Sequence, residues 1–253
     1  MTVMRELVVL CVIAAGCNAR LGAAGQVGDD QNIDANGSGS GSGSGSGQHD
    51  AAVPACATGR QIYLEFEGAT ITQAANASDA TQNQAVWMGV ATATMTKFRP
   101  GAADRATQIQ DVIDRIRGKL AAFPEIQVVT TRPAAGPYMM IGFGDVHQTV
   151  NVPYLYAVNR LDCGDLKTKN DLAWVFEDVP STRVAADTAI GSILFGLGAT
   201  GTTDTNDCMC GWLTQCQASN NACTLGTSVN AVLSCSGQTN PQNEVAIMQT
   251  FCQ

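Results

Sequence analysis

Two histidines, ten cysteines and a thin scatter of carboxylates are the material from which this 253-residue chain could assemble a reactive or metal-binding site. A hydrolytic zinc centre needs about three protein ligands and an open position for water, whose proton is removed with help from the metal and a carboxylate base. His49 stands beside a Gly/Ser tract and His147 lies in the run Gly-Asp-Val-His-Gln. One copy of the chain therefore has too few imidazoles for a three-histidine site. Asp145 and His147 are spaced to form a carboxylate–imidazole base, although Asp-x-His is a common loop sequence. Ser192 lacks the Gly-x-Ser-x-Gly turn of an exposed nucleophile. A serine on an apolar helix ordinarily returns its hydroxyl to a carbonyl one turn back. Glu65, Glu67 and Asp79 show no acid–base spacing, and the chain has no glycine-rich phosphate loop.

The densest pattern is residues 188–209, TAIGSILFGLGATGTTDTNDCM. Taken plainly, it is an apolar core helix followed by a polar loop. It also resembles the zinc-binding core of the metzincin-type metalloproteases, His-Glu-x-x-His-x-x-Gly-x-x-His with a methionine turn beneath the metal. With the pattern's glycine on Gly198, the histidine positions fall on Gly191, Phe195 and Gly201, and the catalytic glutamate on Ser192. Thr202, Asp204, Asp207 and Met209 then match, without a gap, a run found in some secreted bacterial metzincin-like proteins. The resemblance implies a protease scaffold whose zinc ligands are gone. Gly198 would make the bend after the helix, and Met209 would sit under the former metal position. Zinc belongs to the family, but no ligand for it remains, so neither a cofactor nor a bound metal is expected. Drift of those positions to small and apolar residues fits the cost of burying charged ligands without their ion, and Phe195 could fill the volume left behind. The implied role is binding a peptide or protein ligand, with a strand held against a sheet edge. Two other readings stay open: an active hydrolase with unusual ligands such as Asp204, Asp207 and His147, and a passive envelope surface protein.

The N-terminus resembles an export signal. Arg5 precedes an apolar run over residues 7–13, too short to span a bilayer, and Ala14-Ala15-Gly16-Cys17 resembles a bacterial lipobox. Residues 1–16 would be the signal peptide and Cys17 the lipidated thiol that tethers the protein to a membrane. Ala14 departs from the leucine usual there, and an ordinary secretory leader is the alternative. Asn18 after the cysteine favours the outer over the inner membrane. The expected location is the bacterial cell envelope, as an outer-membrane lipoprotein, or outside the cell. Residues 17–55 read as a flexible linker: the 38 residues after Cys17 include alternating Gly and Ser over 37–47 and would reach about 30–35 Å. The net charge of −8 survives removal of the leader, because Arg5 and Glu6 cancel, and it argues against a nucleic-acid partner.

With Cys11 in the leader and Cys17 on lipid, eight cysteines remain: Cys56, Cys163, Cys208, Cys210, Cys216, Cys223, Cys235 and Cys252. An even set in an exported chain reads as four disulfides, with pairing open. A thiolate zinc site over Cys208, Cys210, Cys216 and Cys223 is the rival, but the ligands are not spaced as paired knuckles.

The elements that would position these groups occupy residues 56–253. Residues 60–67 alternate, with Ile62, Leu64 and Phe66 on one face and Tyr63, Glu65 and Glu67 on the other, as in a half-buried strand. Residues 68–98 give no clear pattern. Ile109, Val112, Ile113, Ile116 and Leu120 recur at helical spacing, and Pro124 ends the run. Residues 126–132, 138–143 and 172–176 read as three more strands, with an irregular segment over 144–171. A buried helix starts near Ser181 or Thr182, either of which could cap it. The expected fold is α+β: a mixed, twisted sheet of about four to five strands, two main helices and a Cys-rich irregular C-terminal part. That order also matches the metzincin layout.

Overall fold

A computed structural model describes residues 56–145, 156–212, 214, 216–232, 235 and 240–253. The leader, Cys17, the linker, His49 and His147 lie outside the described residues. Four strands run parallel in the main sheet: β1 (Gln61–Glu65), β5 (Gln127–Val129), β6 (Tyr138–Phe143) and β8 (Leu172–Val175). The order is β5-β1-β6-β8-β7, in which the short β7 (Ala157–Val158) lies antiparallel at the edge. Parallel strands are usually covered on both faces and read as continuous apolar runs. YMMIGF and LAWV do so, and every residue in both is buried.

One face of the sheet packs on α1 (Arg105–Leu120) and α2 (Thr182–Gly196), with Ile62, Leu64, Met139, Ile141 and Ala173 meeting Val112, Ile116, Ile190 and Leu194 in one core. The other face lies under a small three-stranded sheet, β2 (Thr70–Gln73), β3 (Gln84–Ala85) and β4 (Thr92–Thr94). Its Ile71, Ala85 and Met95 cluster with Tyr63, Met140 and Trp174. The fold is α+β in three layers. Tyr63, expected on a solvent-facing side of the first strand, is only 5% exposed because this second sheet covers it. Two further elements depart from expectation. The segment expected to be irregular over 144–171 supplies β7, and the C-terminal part includes a short helix, α3 (Glu244–Gln249).

The eight expected cysteines pair as Cys56–Cys252, Cys163–Cys235, Cys208–Cys223 and Cys210–Cys216. The first closes 196 residues and joins the segment before β1 to the C-terminal segment at Cys252, while the last closes only 6. Loop-closure entropy makes the long staple worth about 5 kcal/mol and the short one about half that. Among the described residues no helix is long and apolar enough to cross a membrane.

Ser181 settles the capping question: its Oγ accepts the Val184 N–H at 3.2 Å. Ser181→Ala should lower stability by about 1 kcal/mol, read as a shifted urea midpoint with an unchanged slope.

Candidate functional site

The site is built by α2 and the loop that follows it. Every residue from Ala189 to Gly196 is buried, so this helix runs through the core. It ends at Leu197, whose N–H donates to Ile193 O and Leu194 O. Gly198 then adopts φ +98°, where a side chain would be strained, and a Cβ there would stand 2.8 Å from Gly164 N. Ala199 N–H returns to Leu194 O, so the chain turns sharply away from the helix axis. Thr200 is clamped by Gln242, which accepts its N–H at 3.0 Å and donates to its carbonyl at 2.9 Å. Gly201 follows, and Thr202 N–H donates to Met209 O.

Between Thr202 and Met209 the acidic residues brace the loop. Asp204 accepts the Asn206 N–H at 3.0 Å, and Asp207 accepts the Met209 N–H at 2.7 Å. Met209 is fully buried, and its carbonyl also receives the Trp212 N–H. Gly191, Phe195 and Gly201, taken together because of their spacing, all abut one residue, Trp212. A Cβ on Gly191 would lie 2.2 Å from Trp212 Nε1 and 2.7 Å from the Cys208 carbonyl. The Phe195 and Trp212 rings lie 4.9 Å apart at 31°. A Cβ on Gly201 would lie 1.5 Å from the Trp212 carbonyl oxygen. The indole and its backbone occupy the space that side chains at 191 and 201 would need. None of these three positions offers a side-chain lone pair to a cation. Ser192 is fully buried, and its Oγ donates to Thr188 O at 2.9 Å, the back-bond expected of it.

Beside Trp212 lies a cavity of about 290 Å³, lined by Tyr156, the β7 residues, Thr188, Phe195 and Cys216 among others, with no charged side chain among its described lining residues. β7 is the outer strand, and its register fixes which way its amides face. Phe176 N–H donates to Tyr156 O, and Ala157 stands opposite Val175. In that antiparallel pattern Val158 exchanges bonds with β8, while the Ala157 N–H and C=O point away from the sheet. Among the described residues no strand pairs with this edge, yet Ala157 and Val158 are only 7% and 8% exposed. Asn159 ties the strand to α2 by donating to Ser192 O at 2.8 Å.

Two buried acidic groupings flank the bend. Glu244 is fully buried, accepting from Gly226 N–H and Gln242 Nε2, and it neighbours Asp207. Burial and the Asp207 charge push the Glu244 carboxyl well up, so Glu244 holds the proton and donates to Asp207, itself raised by burial. The second grouping is Asp162, Asp165 and Asp171, whose oxygens come within 4.8 Å of one another. The protein's own donors engage Asp162 and Asp165, whereas Asp171 Oδ2 is buried without a hydrogen-bond partner among the described residues. Arg60 grips Asp165 with two bonds at 2.6 and 3.1 Å, Lys169 adds a third, and Asp162 accepts the N–H groups of Leu166, Lys167 and Thr168. Asp171 lies 3.7 Å from Arg60, and burial, with the Asp162 and Asp165 charges, pushes its carboxyl up to about 8. With Asp171 protonated, two cations balance two carboxylates.

Sequence reasoning brought Gly191, Phe195, Gly201 and Met209 into one frame but missed Trp212, β7 and the Arg60 cluster. Trp212 stands in a Cys-Gly-Trp run between two cysteines, the one local hint of an aromatic pinned by disulfides. Arg60 looked like the polar start of an alternating strand, and no local pattern ties it to residues about a hundred positions away. No protein-family model matches the chain, and no curated protein matches it by sequence.

Proposed function

We propose that this protein is a catalytically inactive, metzincin-like binding module, exported and tethered to the cell envelope through Cys17. Its cleft beside β7 holds an extended peptide. The observation that supports this reading best is the meeting of Gly191, Phe195 and Gly201 around Trp212, with buried Met209 bonded to the same loop. Two of the positions, Gly191 and Phe195, meet the indole of Trp212, and the third, Gly201, meets its carbonyl, which fits a shared origin for the three. The amide groups of Ala157 point away from β8, although the residue is only 7% exposed, and the neighbouring cavity, with no charged side chain among its described lining residues, accepts an apolar side chain. Against the hydrolase alternative, Asp204 and Asp207 each use one carboxylate oxygen to brace their own loop.

The test has two arms. Purified protein is assayed for bound metal and for casein cleavage with and without chelator, and a defined library of extended peptides is screened for binding. The expected result is no chelator-sensitive cleavage and a set of binders lost in Ala157→Pro. That change removes an outward N–H while leaving the β7–β8 bonds in place. Stoichiometric zinc together with chelator-sensitive cleavage would overturn the proposal.

A further inference from the structure

Three cations from α1 and α2 line one surface pocket of about 270 Å³. Arg115 and Lys119 stand one turn apart on α1 and so share a face. Arg183 comes from the first turn of α2, where the helix dipole disfavours a cation and favours an anion. The other described lining residues are Gly118, Asp187 and Ala222. Each cation is tethered from one side. Arg115 Nε donates to Asp111 at 2.8 Å, and Arg183 Nη1 donates to Asp187 at 2.8 Å and to Asn221 O at 2.7 Å. Lys119 donates to Cys223 O. These bonds hold the heads in place without exhausting them, since a guanidinium carries about five N–H donors and an ammonium about three. Gly118 is a second, separate observation. Glycine weakens a helix interior, yet a Cβ there would meet nothing within 4 Å, so packing does not require it. What the glycine provides is an open wall beside the two α1 cations.

We infer that this pocket binds a phosphate monoester group. Three cations and one carboxylate line it, a local charge of about +2, which complements the roughly −1.5 to −2 of a phosphate monoester near neutral pH. Two guanidinium forks and an ammonium suit its three terminal oxygens. A carboxylate, with two oxygens and a single charge, would leave much of that donor set unused. The pocket is close to the small end of ligand sites, about 300 Å³, which gives room for the phosphate and the start of the group it esterifies. Asp111 and Asp114 flank Arg115 on α1, and the chain carries a net charge of −8. That setting admits one isolated phosphate group and repels a nucleic acid, which needs a row of cations. The pocket shares no described lining residue with the Trp212 cleft, so the inference does not rest on the proposed function.

The experiment titrates the purified full chain with glycerol 3-phosphate by calorimetry. In parallel the chain is sedimented with three kinds of vesicle: phosphatidylcholine alone, equimolar with phosphatidic acid, and equimolar with phosphatidylglycerol. Arg115→Gln removes one guanidinium, and Gly118→Leu fills the open wall without changing any charge. Leucine at this exposed helical site should leave the fold intact. Each variant should weaken binding about ten-fold or more, as loss of a charge-assisted hydrogen bond or of the space itself dictates. Arg117→Gln removes the same charge from the same helix but lies outside the pocket lining, and it should leave binding unchanged. That pattern with glycerol 3-phosphate assigns a soluble ligand, and the same pattern on phosphatidic acid vesicles alone assigns a lipid headgroup. Binding to neither probe overturns the inference. So does equal sedimentation with phosphatidylglycerol, whose phosphate is a diester, undiminished binding by Gly118→Leu, or an equal loss in Arg117→Gln.

Discussion

Gly201→Ala is expected to cost at least about 3 kcal/mol, beyond the usual range for one added methyl group in a packed region. Its Cβ would stand 1.5 Å from the Trp212 carbonyl oxygen, a main-chain atom in a loop pinned by two disulfides. For a domain of this size that loss lowers the melting temperature by roughly 6–12 °C. Gly191→Ala makes a sharper comparison. In a helix interior alanine should gain about 1 kcal/mol over glycine, yet here it should destabilise, because its Cβ meets the indole nitrogen at 2.2 Å. Trp212→Ala alone should cost about 3 kcal/mol, the low end for a tryptophan because the ring is only partly buried. Combined with Gly191→Ala, the total should fall short of the sum by about 1 kcal/mol or more. The relief is partial, since the Cys208 carbonyl at 2.7 Å remains. Gly201→Ala should show no such relief, because its obstacle is backbone. Equal penalties for Gly191→Ala in both backgrounds would mean that the indole does not fill the position.

The buried cluster at Arg60 should produce the second large effect. Arg60 and Asp165 are each 1% exposed, and Arg60→Ala leaves Asp165 with only the half-exposed Lys169. Removing one partner of a buried pair costs about 3–5 kcal/mol, mostly as the penalty on the charge left behind. The same cluster sets a pH dependence opposite to ordinary acid denaturation. Asp171 is raised to about 8 in the folded chain, against about 4 when unfolded. Between those values the folded state binds the extra proton. Stability should therefore fall as pH rises from about 5 to 8, by up to about 1.4 kcal/mol per pH unit for each such group. Glu244, raised for the same reason, acts in the same direction. Glu67 and Asp111, held low by Lys97 and Arg105 in one case and by Arg115 and Thr182 in the other, lose their contribution only below the usual carboxylate range. Urea unfolding at pH 5, 6.5 and 8 reads the slope directly. Asp171→Asn should flatten it by about one proton's worth and stabilise the protein at pH 8. A level profile across that range in the unaltered protein would refute the assignment.

The sequence was most legible where one local period decides the element. α1 follows from apolar residues at helical spacing, β6 and β8 from unbroken apolar runs, and the start of α2 from a serine before a long apolar stretch. It was least legible where strands are two to four residues long and rich in Thr, Ala and Gln, as in β2, β3, β4 and β7. Such segments have too little side-chain pattern to announce themselves, and only pairing with distant chain makes them strands. The small sheet in turn buried Tyr63, which alternation alone had placed outside.

The site divides along the same line. Composition by itself settled that two imidazoles cannot make a three-histidine centre, and the parity of the cysteines anticipated four bridges. Helical spacing alone puts Gly191 and Phe195 on one face. That Trp212 comes to rest against both of them, and against Gly201, was decided only in three dimensions. The bend at Gly198 and two disulfides bring its loop back onto the helix, and no local periodicity encodes a contact made by chain reversal. Likewise, the pairing of Arg60 with Asp165 exists only because β1 and the loop before β8 meet at one end of the sheet. Local preferences act over a few residues, whereas packing and charge burial act on whatever the folded chain brings together.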